Sequence, residues 1–283
     1  MRRTFLEAGV AIILLGLISV LVKAVSANAI TIGVFRLAVA VALMLTFRRT
    51  RRGLAVLSRR QWLVLVLMGL FFGAHWLLFF LSIKMSTASI AVLALSSYGI
   101  HLLWLGRLLG ESRPGAADFA AVLVAVFGNL LIIPEFSLEN HITLGVLLGL
   151  LSGLFFAFLP ILHQKHPDLP ASVRVFGQFF FALVFFMLFF PLTEWHLAAA
   201  DWIGLVILAV PCTLVAHTLW VRVTTKLSTL TSSLIYYLII PVSMFASYFF
   251  LCEEMTPGKV VGAALIISAN LLGLSSQRRR RVI

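Results

Sequence analysis

Long apolar runs, separated by short polar segments, fill nearly the whole chain. A helix needs about 20 apolar residues to cross the roughly 30 Å hydrocarbon core of a bilayer. Ten runs fit, at residues 6–25, 30–47, 61–82, 88–109, 117–134, 143–163, 172–190, 202–221, 229–251 and 258–276. They are continuous and lack the alternation typical of barrel strands. The pattern therefore predicts an all-α integral membrane protein with ten transmembrane helices.

The composition agrees with this prediction. Hydrophobic residues make up 61% of the chain and charged residues 11%, whereas about a quarter of a soluble domain is charged. The first apolar run follows Arg2-Arg3 and superficially resembles a signal peptide. More apolar runs follow along the chain, so we expect a retained first span.

The placement of charge predicts the orientation. The net charge of +12 would suit nucleic acid as well as a membrane surface. With the N-terminus inside, 18 of the 22 Lys and Arg residues fall in inner segments: Arg2, Arg3, the six arginines between 48 and 60, Arg107, Arg113, Lys165, Arg174, Arg222, Lys226 and Arg278–Arg281. The outer segments collect Glu135, Glu139, Glu194, Asp201, Glu253 and Glu254. The positive-inside rule then predicts a multi-pass protein of the cell inner membrane, with both termini cytoplasmic and no nucleic-acid partner.

One sequence pattern occurs twice in the chain. His75, Lys84 and Ser86-Thr87 recur 142 residues later as His217, Lys226 and Ser228-Thr229, and Glu111, Pro114 and Gly115 recur 143 residues later as Glu254, Pro257 and Gly258. The spacing predicts a duplication, with repeats at 1–138 and 139–283. Because each repeat holds five spans, the second enters the membrane from the opposite face. Inverted five-helix repeats are a common plan for transporters.

With these motifs the chain resembles the drug/metabolite transporter superfamily, and in particular its EamA-type members. Pro241, Glu254 and Gly262 match the proline, the helix-ending glutamate and the glycine-rich last span of the second half. In the first half Glu111 matches, while Gly99 stands where a proline is usual, and Arg36 matches an arginine often found in the second span. The resemblance implies a ten-helix secondary transporter that exports a small organic metabolite, an amino acid or a related compound.

Polar stripes on the fourth and ninth spans are the first candidates for a substrate cavity. Ser97, His101 and Trp104 share one helical face. Thr229, Ser232, Tyr236, Ser243 and Ser247 form a similar stripe, with Ser243 equivalent to His101. We expect the stripes to line a central cavity. The alternative is that they hydrogen-bond neighbouring helices.

His75 and His217 are the strongest equivalent pair. Ionisable groups inside a membrane mark pathways, and histidine titrates near neutral pH. We therefore expect both to contact the cavity, with proton coupling as a hypothesis. The alternative is a neutral imidazole bonded to a neighbouring backbone carbonyl.

Arg36 and Lys23 are the cations nearest mid-membrane depth. A carboxylate-bearing substrate is one partner for Arg36; backbone carbonyls or snorkelling to the outer interface are the alternatives, and snorkelling is the expectation for Lys23. Aromatic residues beside polar positions offer stacking surfaces for an aromatic substrate, with a lipid-facing role as the alternative. They are Trp76, Phe79, Tyr98, Trp104, Trp220, Tyr236 and Tyr237.

Other features limit the function. No carboxylate lies in the middle of a predicted span, which argues against the cation/proton antiport of small multidrug relatives. Glu111 and Glu254 are expected to brace the turns before Pro114 and Pro257. Pro160, Pro211 and Pro241 are expected to kink their helices. No catalytic motif, metal-ligand spacing or cofactor motif is found.

The sequence thus predicts alternating-access transport of a small-molecule substrate, with protons as a possible second partner and a homodimer left open. A lipid-linked carrier flippase and a non-transport membrane protein remain alternatives. The predicted substrate-binding residues are Arg36, His75, Trp76, Phe79, Ser97, Tyr98, His101, Trp104, His217, Trp220, Tyr236 and Ser243.

Overall fold

The computed structural model describes residues 2–108, 116–133, 137–227, 232 and 235–281, and these form helices without any β-strand. The helices are α1 Arg2–Ala24, α2 Ala29–Thr46, α3 Arg48–Leu54, α4 Arg59–Met85, α5 Ala88–Leu95, α6 Tyr98–Leu108, α7 Ala116–Leu131, α8 His141–Lys165, α9 Ala171–Met187, α10 Ala199–Ala209, α11 Ala216–Lys226, α12 Ile239–Leu251 and α13 Pro257–Arg281. Glu111, Pro114, Glu135 and Thr229, singled out in the sequence, lie outside the described residues.

Five helical segments are long and apolar enough to cross a membrane: Arg2–Ala24, Ala29–Thr46, Arg59–Met85, His141–Lys165 and the joined segment Ala199–Lys226. Five shorter apolar helices accompany them in the described residues. The chain is therefore an all-helical membrane protein.

Helices from the two halves of the chain pack against each other. α4 lies against α8 and α9, α1 against α11 and α12, and α7 against α13. Glycines of α8 permit close approach: a Cβ added at Gly149 would stand 2.6 Å from the Cβ of Ala94, and one at Gly153 would stand 2.8 Å from the carbonyl oxygen of Leu95. Small residues allow membrane helices to approach closely in this way.

The predicted span 88–109 is not one helix. α5 ends at Leu95 and α6 begins at Tyr98. Ser96 donates its hydroxyl to the Val92 carbonyl at 2.7 Å, while its own carbonyl accepts a hydrogen bond from the Asn270 amide at 3.4 Å. A side chain from α13 thus binds a carbonyl that a continuous helix would have used.

A second interruption lies about 142 residues further on. The chain turns at residues 237–238, and α12 begins at Ile239. Pro241 therefore sits in the first turn of α12, where a proline removes no helical hydrogen bond. The expected kink at Pro241 within a continuous helix is wrong, because the helix starts only two residues earlier.

The other two prolines are accommodated within helical segments. α8 continues through Pro160. Pro211 lies in a π-helical turn, Val210–Val215, that joins α10 to α11. Thr213 in this turn donates its hydroxyl to the Leu208 carbonyl at 2.7 Å. Such turns often occur at functional sites.

Lys23 binds backbone carbonyls at a helix end. Its ammonium group donates to the carbonyls of Ile83, Lys84 and Ser86, at 3.1, 3.3 and 2.5 Å, around the C-terminal end of α4. The last carbonyls of a helix have no partner within it, and they attract a cation. Lys23 therefore stabilises the end of α4.

Glu253, rather than Glu254, caps a helix. Its carboxylate accepts hydrogen bonds from the backbone amides of Ala88 and Ser89, at 2.7 and 3.2 Å, at the N-terminal end of α5. Lys259 lies 3.7 Å from the same carboxylate. The short connection between α4 and α5 is thus bound by Lys23 at the end of α4 and by Glu253 at the start of α5.

The first prediction concerns this cap. Replacing Glu253 by Ala leaves the amides of Ala88 and Ser89 without their acceptor, which costs about 1–3 kcal/mol. Thermal unfolding of the detergent-purified protein should show a lower midpoint for Glu253→Ala. Glu254→Ala is the matched control, and equal midpoints for the two variants would contradict the cap.

The second prediction concerns Gly99 on α6. A Cβ at this position would overlap the Tyr237 hydroxyl and the Asn270 side-chain oxygen. Overpacking of this kind costs about 1–3 kcal/mol of stability. Gly99→Ala should therefore lower the midpoint of thermal unfolding.

Gly9→Ala is its control, because nothing lies within 4 Å of a Cβ there, and alanine favours the helix at such a site. Adding Tyr237→Phe to Gly99→Ala removes the overlapping hydroxyl and should restore part of the loss. If the double variant is as unstable as Gly99→Ala alone, the hydroxyl contact is not the cause.

Candidate functional site

Arg36 on α2 is the central charge of the interior. The residue is fully buried, with 0% of its surface exposed. Its Nε donates to the Thr213 hydroxyl at 2.9 Å, but Nη1 and Nη2 have no hydrogen-bond partner among the described residues. The guanidinium carbon lies 4.1 Å from the centroid of Trp76 and 5.1 Å from that of Phe80. Neither snorkelling nor bonding to backbone carbonyls describes Arg36.

His217 on α11 lies on the other side of Trp76. Its ring centroid is 5.6 Å from that of Trp76 and 5.1 Å from that of Phe72. Its Nε2 has no hydrogen-bond partner in the described part of the chain. Arg36 and His217 thus share one aromatic neighbour, and each offers unused nitrogen atoms.

His75 on α4 differs from His217, because its ring is already bonded. Its Nδ1 lies 2.7 Å from the Ser152 hydroxyl and 3.3 Å from the Ser152 carbonyl oxygen. Phe79 stacks on the ring at 6.0 Å between centroids, and Phe156 approaches it at 4.7 Å. The contact with Ser152 resembles the structural alternative considered for this histidine.

An aromatic cluster adjoins the two histidines. Tyr236 lies between Tyr98, at 4.8 Å, Phe156, at 5.1 Å, and Trp220, at 5.2 Å, between ring centroids. All four side chains are at least nine-tenths buried. The structure therefore brings together eight of the predicted residues in one region: Arg36, His75, Trp76, Phe79, Tyr98, His217, Trp220 and Tyr236.

Only small cavities separate these side chains. A cavity of ≈ 20 Å³ lies between His75, Trp76, His217 and Tyr236. Two more, of ≈ 20 and ≈ 10 Å³, are lined by Trp220 and Thr224 in common. Each is about large enough for one water molecule. The conformation is therefore closed around the candidate residues.

The remaining predicted residues lie elsewhere. Ser97 and His101 line a separate, mostly apolar cavity of ≈ 250 Å³ between α6, α7 and α8. Trp104 packs against Phe119 of α7, at 5.4 Å between centroids. Ser243 is bonded to Ser19 of α1, at 2.7 Å between hydroxyl oxygens. Among the described residues, Ser243 therefore does not line the cavity that contains Ser97 and His101.

A second polar group in the interior was not predicted. Arg174, expected in an inner segment, is 1% exposed, and it donates to the His163 carbonyl and to the Thr225 hydroxyl. His163 in turn lies 2.9 Å from the side-chain oxygen of Gln178. Thr213 and Ser152 were also missed. Single hydroxyl residues within apolar runs give no signal of their distant partners.

Comparison with known proteins supports the family. The sequence profile of the EamA-like transporter family matches residues 143–274. Nineteen chains of solved structures also match. One of them, titled only "Crystal structure of protein", has a TM-score of 0.69 and 16% identity, and the match covers 99% of both chains.

At this identity the similarity to the solved structure shows a shared fold alone. No curated protein matches the chain. The predicted family is confirmed by the profile match: with residues 143–274 the chain carries an EamA-like domain of the drug/metabolite transporter superfamily.

Proposed function

We propose that the chain is a secondary transporter that exports a small carboxylate-bearing metabolite, an amino acid or a related compound, by alternating access. The observation that carries this proposal is the buried guanidinium of Arg36 with two unpartnered nitrogens. An isolated charge in a low-dielectric interior is costly unless an opposite charge joins it. A carboxylate supplies that charge and matches the geometry of two parallel hydrogen bonds.

The neighbours of Arg36 suit the rest of such a substrate. Trp76 offers a flat face beside the charge, and Tyr98, Trp220 and Tyr236 continue the aromatic surface. Burying an apolar or aromatic body against these rings would stabilise the bound substrate. Since the present cavities hold little more than water, substrate entry requires the helices to separate.

The helix boundaries support two inverted halves of five spans each. α2 begins at residue 29 and α9 at 171, 142 residues apart. The interruptions before Tyr98 and before Ile239 have a similar spacing. Interrupted helices at the interface of two repeats are typical of transporters in which one half moves against the other.

We place both termini in the cytoplasm and the protein in the inner membrane, and contacts at the two ends support the grouping of the predicted inner and outer segments. Lys226 lies 3.9 Å from Glu7, and Gln61 donates to Asp168 at 3.1 Å, so these predicted inner segments share one end. At the opposite end Asp201 accepts a hydrogen bond from the Ser26 amide at 2.8 Å.

The groove lined by Arg49 and Arg222 is the observation that favours the second candidate, a flippase for a lipid-linked carrier. This groove is at the surface and joins basic to apolar residues, as phosphate and lipid would require. It contains neither Arg36 nor His217. A metabolite transporter accounts for the buried site better, and a flippase is the outcome to test against.

The third prediction tests the carboxylate. In a thermal-shift screen of the purified protein, metabolite acids should stabilise it and their amides should not. Arg36→Gln should weaken binding of the stabilising acid by at least about 30-fold, since truncating one partner of a buried charge pair costs about 2–5 kcal/mol. Uptake of the stabilising acid into proteoliposomes that carry the purified protein then measures transport.

Arg36→Lys keeps the charge without the paired donors and should bind the acid with intermediate affinity. Arg51→Gln removes an exposed arginine and serves as the control. If acids and amides stabilise the protein equally, or if Arg36→Gln binds like the unaltered protein, the proposed substrate class is rejected.

The fourth prediction concerns proton coupling, which we assign to His217 because its Nε2 is unbonded whereas the His75 ring is held by Ser152. An imposed pH gradient should drive substrate uptake into proteoliposomes. His217→Gln should abolish the dependence on the gradient while counterflow exchange persists. His75→Gln should retain the dependence.

Uptake by the unaltered protein that ignores the gradient would end the coupling proposal. Unchanged transport by the double variant His75→Ala/His217→Ala would show that the site lies elsewhere.

A further inference from the structure

A cavity of ≈ 370 Å³ forms a groove at the surface. It lies where α2 and α3 meet α9 and α11. Its lining residues are Met44, Phe47, Arg49, Thr50, Ser172, Leu214, Val215, Thr218, Leu219 and Arg222. Its walls thus come from both halves of the chain.

One part of the groove is basic and contains unused hydroxyl groups. Arg49 comes from α3 and Arg222 from α11, and no acidic residue lines the groove. Neither arginine has an ion-pair partner among the described residues. Thr50 is 0% exposed, and its hydroxyl has no hydrogen-bond partner in the described residues. The buried Ser172 hydroxyl is equally unbonded there.

The rest of the groove is apolar and open to the exterior. Leu214 and Leu219 line it and are partly buried, while Phe47 and Val215 are 53% and 40% exposed. These residues continue the apolar surface of spanning helices, so a bilayer would cover them. A ligand that fills the whole groove must be anionic at one end and apolar at the other.

We propose that this groove binds one anionic phospholipid as a fixed ligand. Arg49 and Arg222 hold the phosphate from two sides, and Thr50 and Ser172 donate hydroxyl hydrogen bonds to its oxygens. An acyl chain lies along Leu214, Val215 and Leu219. Basic pockets between spanning helices recognise anionic headgroups in this way, and arginine pairs well with phosphate oxygens.

The bound lipid spans the two halves of the molecule. α2 also carries Arg36, and α11 also carries His217, but both of those side chains lie outside the groove. The lipid therefore occupies a site separate from the proposed substrate, and it joins α3 to α11 at the end of the bundle where Arg48–Arg52 cluster.

The fifth prediction measures the lipid. Purified protein in a neutral detergent is titrated with short-chain phosphatidylglycerol, phosphatidylcholine or inorganic phosphate, and thermal unfolding is followed. Only phosphatidylglycerol should raise the midpoint. The variant Arg49→Gln/Arg222→Gln should bind it about 30-fold more weakly, from the loss of two arginines near the membrane surface. The variant Arg51→Gln/Arg52→Gln also loses two positive charges, both on α3, and it should bind phosphatidylglycerol normally.

Thr50→Val tests the same site with the shape of the side chain preserved, and it decides the matter if the double arginine variant fails to fold. It should weaken phosphatidylglycerol binding without altering the unfolding midpoint in detergent alone. Equal binding by Thr50→Val and the unaltered protein, or equal losses in the two arginine pairs, overturns the site.

Two further outcomes also reject the proposal. An equal midpoint shift with inorganic phosphate would show an anion site that does not recognise lipid. Translocation of a fluorescent phosphatidylglycerol across proteoliposomes, lost in Arg49→Gln/Arg222→Gln, would make the lipid a cargo. The lipid titration needs no transport substrate, so it stands or falls separately from the carboxylate screen.

Discussion

Arg36 is a buried positive charge with no opposite charge beside it among the described residues, and the arrangement of the interior depends on this constraint. Arg36 contributes one hydrogen bond to Thr213 and rests on Trp76, and its other donors are unused. Aromatic faces soften the cost of such a charge but replace neither water nor a carboxylate. The π-helical turn that carries Thr213 packs against α2, the helix of Arg36. An anion bound beside Arg36 would therefore lower the free-energy cost of burying this charge.

Charge also secures the ends of the helices, by a simpler rule. Lys23 binds the carbonyls that end α4, and Glu253 binds the amides that begin α5. The two signs agree with the partial charges at helix termini. Because Lys23 comes from the first half and Glu253 from the second, one short connection fixes both halves together at this end.

Apolar runs were sufficient to predict most helices, since a membrane-spanning helix is defined by its own composition. The predicted span 30–47 and the observed Ala29–Thr46 differ by one residue at each end. The interruption at Ser96 was not predictable in this way, because it depends on Asn270, 174 residues away. The same holds for the site. Arg36 and His217 stand out as ionisable residues in apolar runs, whereas Thr213 and Ser152 gain their roles only from side chains that folding brings to them.

Gln178 is the eighth residue of α9, as Arg36 is of α2, and it binds His163. The corresponding positions of the two halves therefore carry a neutral amide and a cation. If the two halves of the proposed transporter exchanged conformations, the Arg36 guanidinium would move from one side of the substrate to the other. A substrate approaching from the two faces of the membrane would then meet unequal electric fields. In the proposed transporter the two half-saturation concentrations would then differ, while the direction of net transport would still be set by the gradients across the membrane.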